Sequence, residues 1–193
     1  MILKLKILQI TLITLFTINI SCKAQIVPLK SLDYPDGAYL KDLDNILPFW
    51  VGTWKGSINN KEYTFQFVKF TQHQITFSDG SSYFRDILMG KFKVVNLSTN
   101  QIIYNDLNVV NFDDYKIERI GKMQIEYFFM FYDSQNNCRN KAQFSLIKDT
   151  TNSNQVLYKN FKYDEYDHWE CPFQNQEAIP LFLPKVELVL TRQ

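Results

Sequence analysis

Histidine, cysteine and glycine are scarce in this chain of 193 residues. Two histidines and three cysteines do not supply the closely spaced ligands of a zinc site. Six glycines without a Gly-x-Gly pair exclude a phosphate-cradling glycine loop. A net charge of only +1 lacks the basic character of nucleic-acid-binding domains. The sequence therefore predicts no metal, no cofactor and no nucleic-acid partner.

Catalytic constellations are also lacking. His73 falls between two predicted strands, where a solvated turn residue is expected, and neither histidine adjoins a nucleophile motif such as Gly-x-Ser-x-Gly. His168 and Cys171 lie three positions apart, but no third and fourth metal ligand follow at suitable spacing. We therefore predict a protein that is not an enzyme.

Aromatic residues, by contrast, are abundant. They make up 16% of the chain, and hydrophobic residues as a whole make up 46%. This composition excludes a disordered chain, and the length suits one domain with a sizeable core. No internal repeat or change in composition divides the chain, so residues 38–193 are predicted to form a single domain.

The first 21 residues have the features of a signal peptide. Lys4 and Lys6 form a positive start, and the stretch from Ile7 to Ser21 carries no charge. This stretch is too short and too polar for a membrane-spanning helix, which needs about 20 apolar residues. Residues 22–37 contain two prolines and little periodicity, and they are predicted to be a tether.

Two processing sites compete at the end of this segment. Ile20-Ser21-Cys22 resembles the end of a bacterial lipobox, in which the cysteine becomes the lipidated first residue, although Asn19 departs from the usual pattern. The alternative is ordinary cleavage after Ala24. The first predicts an outer-membrane lipoprotein that contacts the membrane only through its lipid, and the second a secreted or periplasmic protein.

With Cys22 lipidated, Cys138 and Cys171 remain as an even pair in an oxidising compartment. Both lie in polar, loop-like surroundings, 33 positions apart. We predict that they form a disulfide, which would stabilise the fold by roughly 3–4 kcal/mol on the chain-entropy model.

Most of the domain has the alternating pattern of β-strands. Tyr63, Phe65 and Phe67 share one face of a strand, for example, with polar residues between them. Leu40, Leu43 and Leu47 recur at helical spacing instead and predict one short helix over 38–47. About nine or ten strands are predicted. Nine candidates are one around Trp54 and those at 61–70, 74–77, 83–95, 101–104, 122–132, 142–148, 156–163 and 184–191, and the runs at 109–110 and 115–120 are two shorter ones.

The segment Val51-Gly52-Thr53-Trp54 resembles the Gly-x-Trp motif that opens the barrel of lipocalins and fatty-acid-binding proteins. The whole chain is also similar to an uncharacterised family of flavobacterial lipoproteins or secreted proteins of unknown function. The features that match this family are the segments Ser21–Gln25, Ala38–Leu43, Val51–Trp54 and Leu188–Arg192.

The first resemblance implies an antiparallel up-and-down meander that closes into a lipocalin-like barrel of about 8–10 strands, since closure removes exposed edges. In such barrels a basic side chain of the last strand packs over the Gly-x-Trp indole. The resemblance therefore assigns a barrel-closing role to Gly52, Trp54 and Arg192, with the guanidinium within about 6 Å of the indole.

Two non-enzymatic functions fit these features. The first is an envelope lipoprotein whose barrel holds a small apolar or aromatic ligand. The alternative is an envelope interaction protein with a filled barrel, which binds its partner through an exposed aromatic patch. A cavity inside the barrel favours the first function, and a packed interior favours the second.

Overall fold

The structure, a computed structural model, describes residues 24–133, 138–167 and 169–193. The predicted signal peptide, Cys22 and His168 lie outside the described residues. Helical structure in the described part is limited to 3-10 turns, and none is long and apolar enough to cross a membrane. The strands are β1 (Ile26–Pro28), β2 (Tyr39–Lys41), β3 (Gly52–Ile58), β4 (Lys61–Thr76), β5 (Ser82–Asn96), β6 (Ile102–Asn105), β7 (Ile117–Met123), β8 (Glu126–Asp133), β9 (Asn140–Lys148), β10 (Gln155–Tyr163) and β11 (Leu188–Arg192). The 3-10 turns are Leu47–Phe49, Phe112–Asp114 and Gln176–Ala178.

Eight of the strands close into an antiparallel barrel, which confirms the predicted fold class. Strands β3, β4, β5, β7, β8, β9, β10 and β11 pair in chain order, and β11 returns to pair with β3. At this closing seam Arg192 lies opposite Trp54, and Thr191 opposite Lys55. Each barrel strand thus has a neighbour on both sides, which is how a barrel avoids exposed edges.

One edge of β5 pairs with three different strands in succession. Its end near Val94 pairs with β6, its middle at Met89 and Gly90 pairs with β7, and its beginning near Arg85 pairs in parallel with β2. Strand β1 pairs with β2 in turn. Part of the predicted tether is therefore held against the sheet, while the domain boundaries at 21 and 37 stay predictions.

The barrel interior is packed with aromatic side chains from alternate positions of the strands, as the alternation in the sequence predicts. Phe129 and Phe144 stack at 5.4 Å between ring centroids, and Phe144 stacks on Tyr158 at 4.8 Å. The largest fully buried side chains are Trp50, Trp54, Phe65, Phe67, Phe92, Phe129, Phe131, Phe144 and Tyr158.

The predicted helix over 38–47 is wrong. Ala38 and Leu40 are buried against Tyr83, whereas Leu43 is 54% exposed, so the leucines at helical spacing do not share a buried face. The segment instead forms β2 and a turn. In this turn the Asp42 carboxylate accepts hydrogen bonds from the backbone N–H groups of Ile46 and Leu47, at 3.0 and 2.8 Å.

Three strand predictions also need correction. Residues 61–76 form one strand with an irregularity between Phe70 and His73, so His73 lies in a strand and stacks on Phe112 at 3.6 Å instead of forming a solvated turn. The predicted strand over 122–132 is divided by a tight turn between Met123 and Glu126. Residues 109–110 form no strand. Each error arose because apolar runs alone do not locate bulges and tight turns.

Candidate functional site

The predicted barrel-closing residues come together at the seam between β3 and β11. The guanidinium carbon of Arg192 lies 4.3 Å from the centroid of the Trp54 ring, within the predicted distance. The same guanidinium donates hydrogen bonds to the carbonyl oxygens of Val51 (2.9 Å) and Phe49. Gly52 adopts a φ of +117° directly beside it, where a side chain would be strained. This constellation is structural: it ties the last strand to the first.

The predicted disulfide is confirmed. Cys138 and Cys171 are bonded, with their Cα atoms 4.5 Å apart. The bond joins the start of the segment leading into β9 to the loop that follows β10. In the part of the chain that the structure describes, no three His, Cys, Asp or Glu side chains cluster in a way that would hold a metal ion.

A ligand inside the barrel would have to displace the packed aromatic side chains. Trp54, Phe65 and Phe144, from different parts of the wall, are at most 1% exposed. The interior of the barrel is therefore a close-packed hydrophobic core. A binding site would therefore have to lie on the surface of the barrel.

A groove of about 650 Å³ lies beside the barrel, where β7 and β2 diverge along the edge of β5. Beyond Glu118, β7 leaves this edge, and at Arg85 β2 occupies it. Residues between 28 and 34 and between 42 and 46, on either side of β2, complete the lining of the space between the two strands. The groove is lined by Pro28, Leu29, Lys30, Ser31, Leu32, Tyr34, Leu40, Asp42, Leu43, Asp44, Ile46, Tyr83, Arg85, Arg119, Ile120, Gly121 and Lys122.

One wall of the groove is apolar and well ordered by packing. Leu40 is buried in a small cluster with Tyr83, and Leu29 and Tyr34 pack against this cluster. The rings of Tyr34 and Tyr83 lie 5.0 Å apart in a tilted arrangement. Such a wall suits the apolar part of a small molecule, since ligand pockets are mostly lined by hydrophobic and aromatic side chains.

Two arginines line the groove as well. Arg85 pairs with Leu40 across β5 and β2, and Arg119 lies on β7 and packs on the ring face of Tyr127 at 5.7 Å. Neither guanidinium makes a hydrogen bond or an ion pair within 4.0 Å with a residue that the structure describes, and the Nε of each is buried. Burial lowers the pKa of Arg119; the interactions with Tyr127 and Asp42 oppose this shift, and the positive charge of Arg85 adds to it.

The acidic groups around the groove are engaged elsewhere. Asp42 caps the turn before Leu47, and Asp44 pairs with Lys30 at 3.2 Å. Asp86, buried behind β2, accepts hydrogen bonds from the Tyr39 hydroxyl (2.6 Å) and two backbone N–H groups, and it pairs with Lys69 at 3.1 Å. These contacts explain why no described carboxylate forms an ion pair with Arg85 or Arg119, although the negative charge of Asp42 acts on Arg119.

The contacts of Asp86 are strong enough to determine the pKa of its carboxyl group. Burial by itself would raise the pKa of this carboxyl group, but the hydrogen bonds from Tyr39 and from the backbone N–H groups of Asp42 and Gln72, together with Lys69, outweigh burial and lower it. The same contact, together with burial, raises the pKa of Tyr39 to about 12. The Asp86 carboxylate therefore stays ionised and fixed on the far side of β2.

The groove residues were not predicted from the sequence. The chain has only four arginines, at 85, 119, 139 and 192, beside many lysines. Arg85 and Arg119 stand in strands that also carry other charged residues, such as Lys91 and Glu118, so no signal in the sequence singles them out. An arginine within a strand does not reveal which neighbouring strand will face it, and this depends on the change of partner along β5.

The chain belongs to a family of unknown function, DUF6705, whose model matches residues 5–193. No curated protein and no solved structure matches the chain. This membership agrees with the predicted full-length resemblance to a family of unknown function. The groove is the feature of the molecule that bears on function.

Proposed function

We propose that this protein is an exported envelope lipoprotein without enzymatic activity, and that it binds a small molecule with an apolar part in the groove beside the barrel. The observation that carries the proposal is the groove of about 650 Å³ between β2 and β7, with an apolar wall on one side. This volume falls within the range of about 300–1,000 Å³ that is typical of ligand sites.

The proposal relocates the ligand relative to the expectation from the sequence. The lipocalin-like resemblance placed the ligand inside the barrel, but aromatic rings fill that space. The groove uses the barrel as a rigid wall and the chain from Pro28 to Ile46 as its other side. A rigid scaffold that carries a site on its connecting segments is a common arrangement for binding proteins.

Gly121 offers a direct test of the groove. It lines the groove, and a Cβ placed on it would meet only Phe128 at an ordinary distance of 3.8 Å, so a larger side chain can enter the groove without strain in the barrel. We expect wild-type protein to bind the neutral apolar dye N-phenyl-1-naphthylamine, and Gly121→Leu to bind it at least tenfold more weakly.

The control for this test is Val189→Leu, which enlarges a half-exposed side chain on β11 outside the groove. Native mass spectrometry of protein isolated from its own envelope should show a retained small molecule in the wild type and in this control. Equal dye binding by wild type and Gly121→Leu, or no binding by the wild type, would overturn the proposal.

A second candidate function is supported by the filled barrel itself. An interaction protein of the envelope needs no cavity but needs an exposed aromatic surface, and Trp169 is 95% exposed in the loop that carries the disulfide. In the same native mass spectra this function would give a protein partner, and Trp169→Ala would release it.

A further inference from the structure

Two guanidinium groups line the groove without a direct acidic partner. A guanidinium that is partly removed from water is costly unless an anion and hydrogen-bond acceptors compensate it. The Asp42 and Glu118 carboxylates act on Arg119 and Arg85 from beyond ion-pair distance, and the buried Nε of each arginine has no hydrogen-bond partner among the described residues. The groove is the space from which an acceptor for these donors can come.

The chemistry of the two side chains narrows the class of acceptor. A guanidinium presents donors in a planar fork that matches the oxygens of a carboxylate or a phosphate, often with two parallel hydrogen bonds. Arg85 extends from the strand edge that β2 occupies, and Arg119 from β7 where it leaves that edge, so both border the same groove. Two guanidinium groups that line the same groove can bind one anionic group between them.

The remaining charges of the groove leave this preference in place. Lys30 and Asp44 neutralise each other in an exposed pair, and Asp42 is bound to the backbone N–H groups of its turn. Lys122 stands at the rim, and its ammonium lies 5.3 Å from the Tyr127 ring. Glu118, on the other face of β7, lies outside the groove lining. It makes no ion pair with Arg85 within 4.0 Å, although the charge of Arg85 acts on it and opposes the rise in its pKa that burial causes.

The apolar wall defines the other end of the ligand. Leu29, Leu40 and Ile46 face the same space as the arginines, and Leu32, which is 99% exposed, stands at its mouth. A ligand that contacts both the arginines and these apolar side chains has an anionic head and an apolar tail. Each further methylene buried along the wall should strengthen binding by about fourfold.

We propose that the groove binds an amphiphilic anion, a molecule with a carboxylate or phosphate head held by Arg85 and Arg119 and an alkyl or aryl tail along the leucine wall. This rests on the proposed function, because it names the class of ligand for the same groove. It adds a requirement for a negative head that the proposed function does not contain.

The test compares four probes that share a twelve-carbon alkyl tail: tridecanoate, dodecyl phosphate, dodecanol and dodecyltrimethylammonium, measured by isothermal titration calorimetry below their aggregation concentrations. We expect one or both anions to bind wild-type protein at least tenfold more tightly than dodecanol, and the cation to bind most weakly. Comparison of tridecanoate with dodecyl phosphate identifies which head the arginines prefer.

Variants assign the effect to the two arginines. Arg85→Gln and Arg119→Gln should each weaken binding of the preferred anion by about tenfold while leaving dodecanol unchanged, since a charge-assisted hydrogen bond is lost. Arg139→Gln is the matched control, because this arginine is exposed and lies outside the groove. It should bind every probe as the wild type does.

The outcomes separate the two proposals. If dodecanol binds as tightly as both anions, and Gly121→Leu blocks it, the anionic head is wrong and the groove remains a binding site. If no probe binds and the neutral dye does not bind either, both proposals fall. Thermal unfolding without ligand gives an independent check: Arg119→Met should raise the melting temperature, because it removes a guanidinium whose buried Nε has no hydrogen-bond partner, and a lower melting temperature would overturn the inference.

Discussion

At the scale of single residues, the buried polar groups fall into two classes. Asp86 and Arg192 are fully engaged: the first joins β2, β4 and β5 through its carboxylate, and the second joins β11 to the chain before β3. Arg85 and Arg119 each have a buried Nε without a hydrogen-bond partner in the described residues, although Arg119 also packs on the Tyr127 ring. Engaged buried groups stabilise a fold, whereas unengaged ones cost stability and mark places where function outweighs it.

The Asp86 carboxylate should contribute stability that depends on pH. Its pKa is lowered in the folded protein, so the contribution is complete above the unfolded pKa of about 4 and is lost as the pH falls through the folded value. We expect Asp86→Asn to lower the free energy of unfolding by about 2 kcal/mol or more at pH 7, since hydrogen bonds to a charged group are lost.

Urea denaturation at pH 7 and at pH 3 measures this effect. The gap between wild type and Asp86→Asn should narrow at pH 3, where the Asp86 carboxyl of the unfolded wild-type chain binds a proton that the folded form disfavours. Asp33→Asn, at an exposed position, serves as the control and should behave as the wild type at both values. A gap that widens at the lower pH would contradict the assignment.

At the scale of elements, the sequence predicted the barrel strands well because each is buried on one face. Tyr63, Phe65 and Phe67 alternate with polar residues, and all three point into the core. The helix prediction was wrong because the leucines do not share a buried face. Leu40, Leu43 and Leu47 have helical spacing, but the neighbouring strand β5 buries Leu40 and leaves Leu43 exposed. Tertiary contacts decided the outcome over local periodicity.

The groove was beyond prediction because no local pattern encodes it. It exists where β5 exchanges β7 for β2, and those strands are about 75 residues apart in the chain. Arg85 and Arg119 each stand in a strand with other charged residues, and their distance from each other cannot be read from the sequence. Long-range pairing determines the site, whereas alternation determines only the faces of the strands.

The seam between β3 and β11 depends on Gly56. A Cβ at this position would clash with the carbonyl oxygen of Val189 and would lie 3.0 Å from side-chain atoms of Leu188 and Leu190. We expect Gly56→Ala to lower the free energy of unfolding by about 1–3 kcal/mol, because overpacking forces the last strand away from the first.

Gly121→Ala is the control for this prediction. A Cβ at Gly121 meets its nearest neighbour, Phe128, at 3.8 Å, and the backbone there does not have the positive φ that favours glycine. Its midpoint of urea denaturation should stay close to that of the wild type. Similar destabilisation by the two substitutions would mean that loss of glycine alone, and not the close approach at the seam, causes the effect.

At the scale of the whole molecule, the barrel is a solid support and the chain before β3 is what shapes the groove. The disulfide between Cys138 and Cys171 and the contact between Arg192 and Trp54 both strengthen this support away from the groove. The groove wall, by contrast, is formed by β1, β2 and their connections, and these two strands pair only with each other and with the beginning of β5. The segment nearest the proposed lipid anchor is thus also the segment that contacts the proposed ligand.

This arrangement gives the anchor a testable consequence. Cys22 lies four positions before Ile26, the first residue of β1, so a fully extended chain of that length spans about 14 Å at most. A lipid on Cys22 would hold the groove close to the membrane surface, where amphiphilic anions are concentrated. We expect Cys22→Ser to move the protein from the membrane fraction to the soluble fraction of the envelope.

Mass spectrometry of the N-terminus provides the decisive measurement. The wild-type protein should begin with a cysteine whose mass includes a lipid, and Cys22→Ser should lack that mass while its groove still binds the preferred anionic probe in solution. Loss of anchoring with retention of binding would show that the lipid positions the groove and does not form it. A wild-type chain that begins at Gln25 and fractionates like Cys22→Ser would contradict the anchor and favour ordinary cleavage after Ala24.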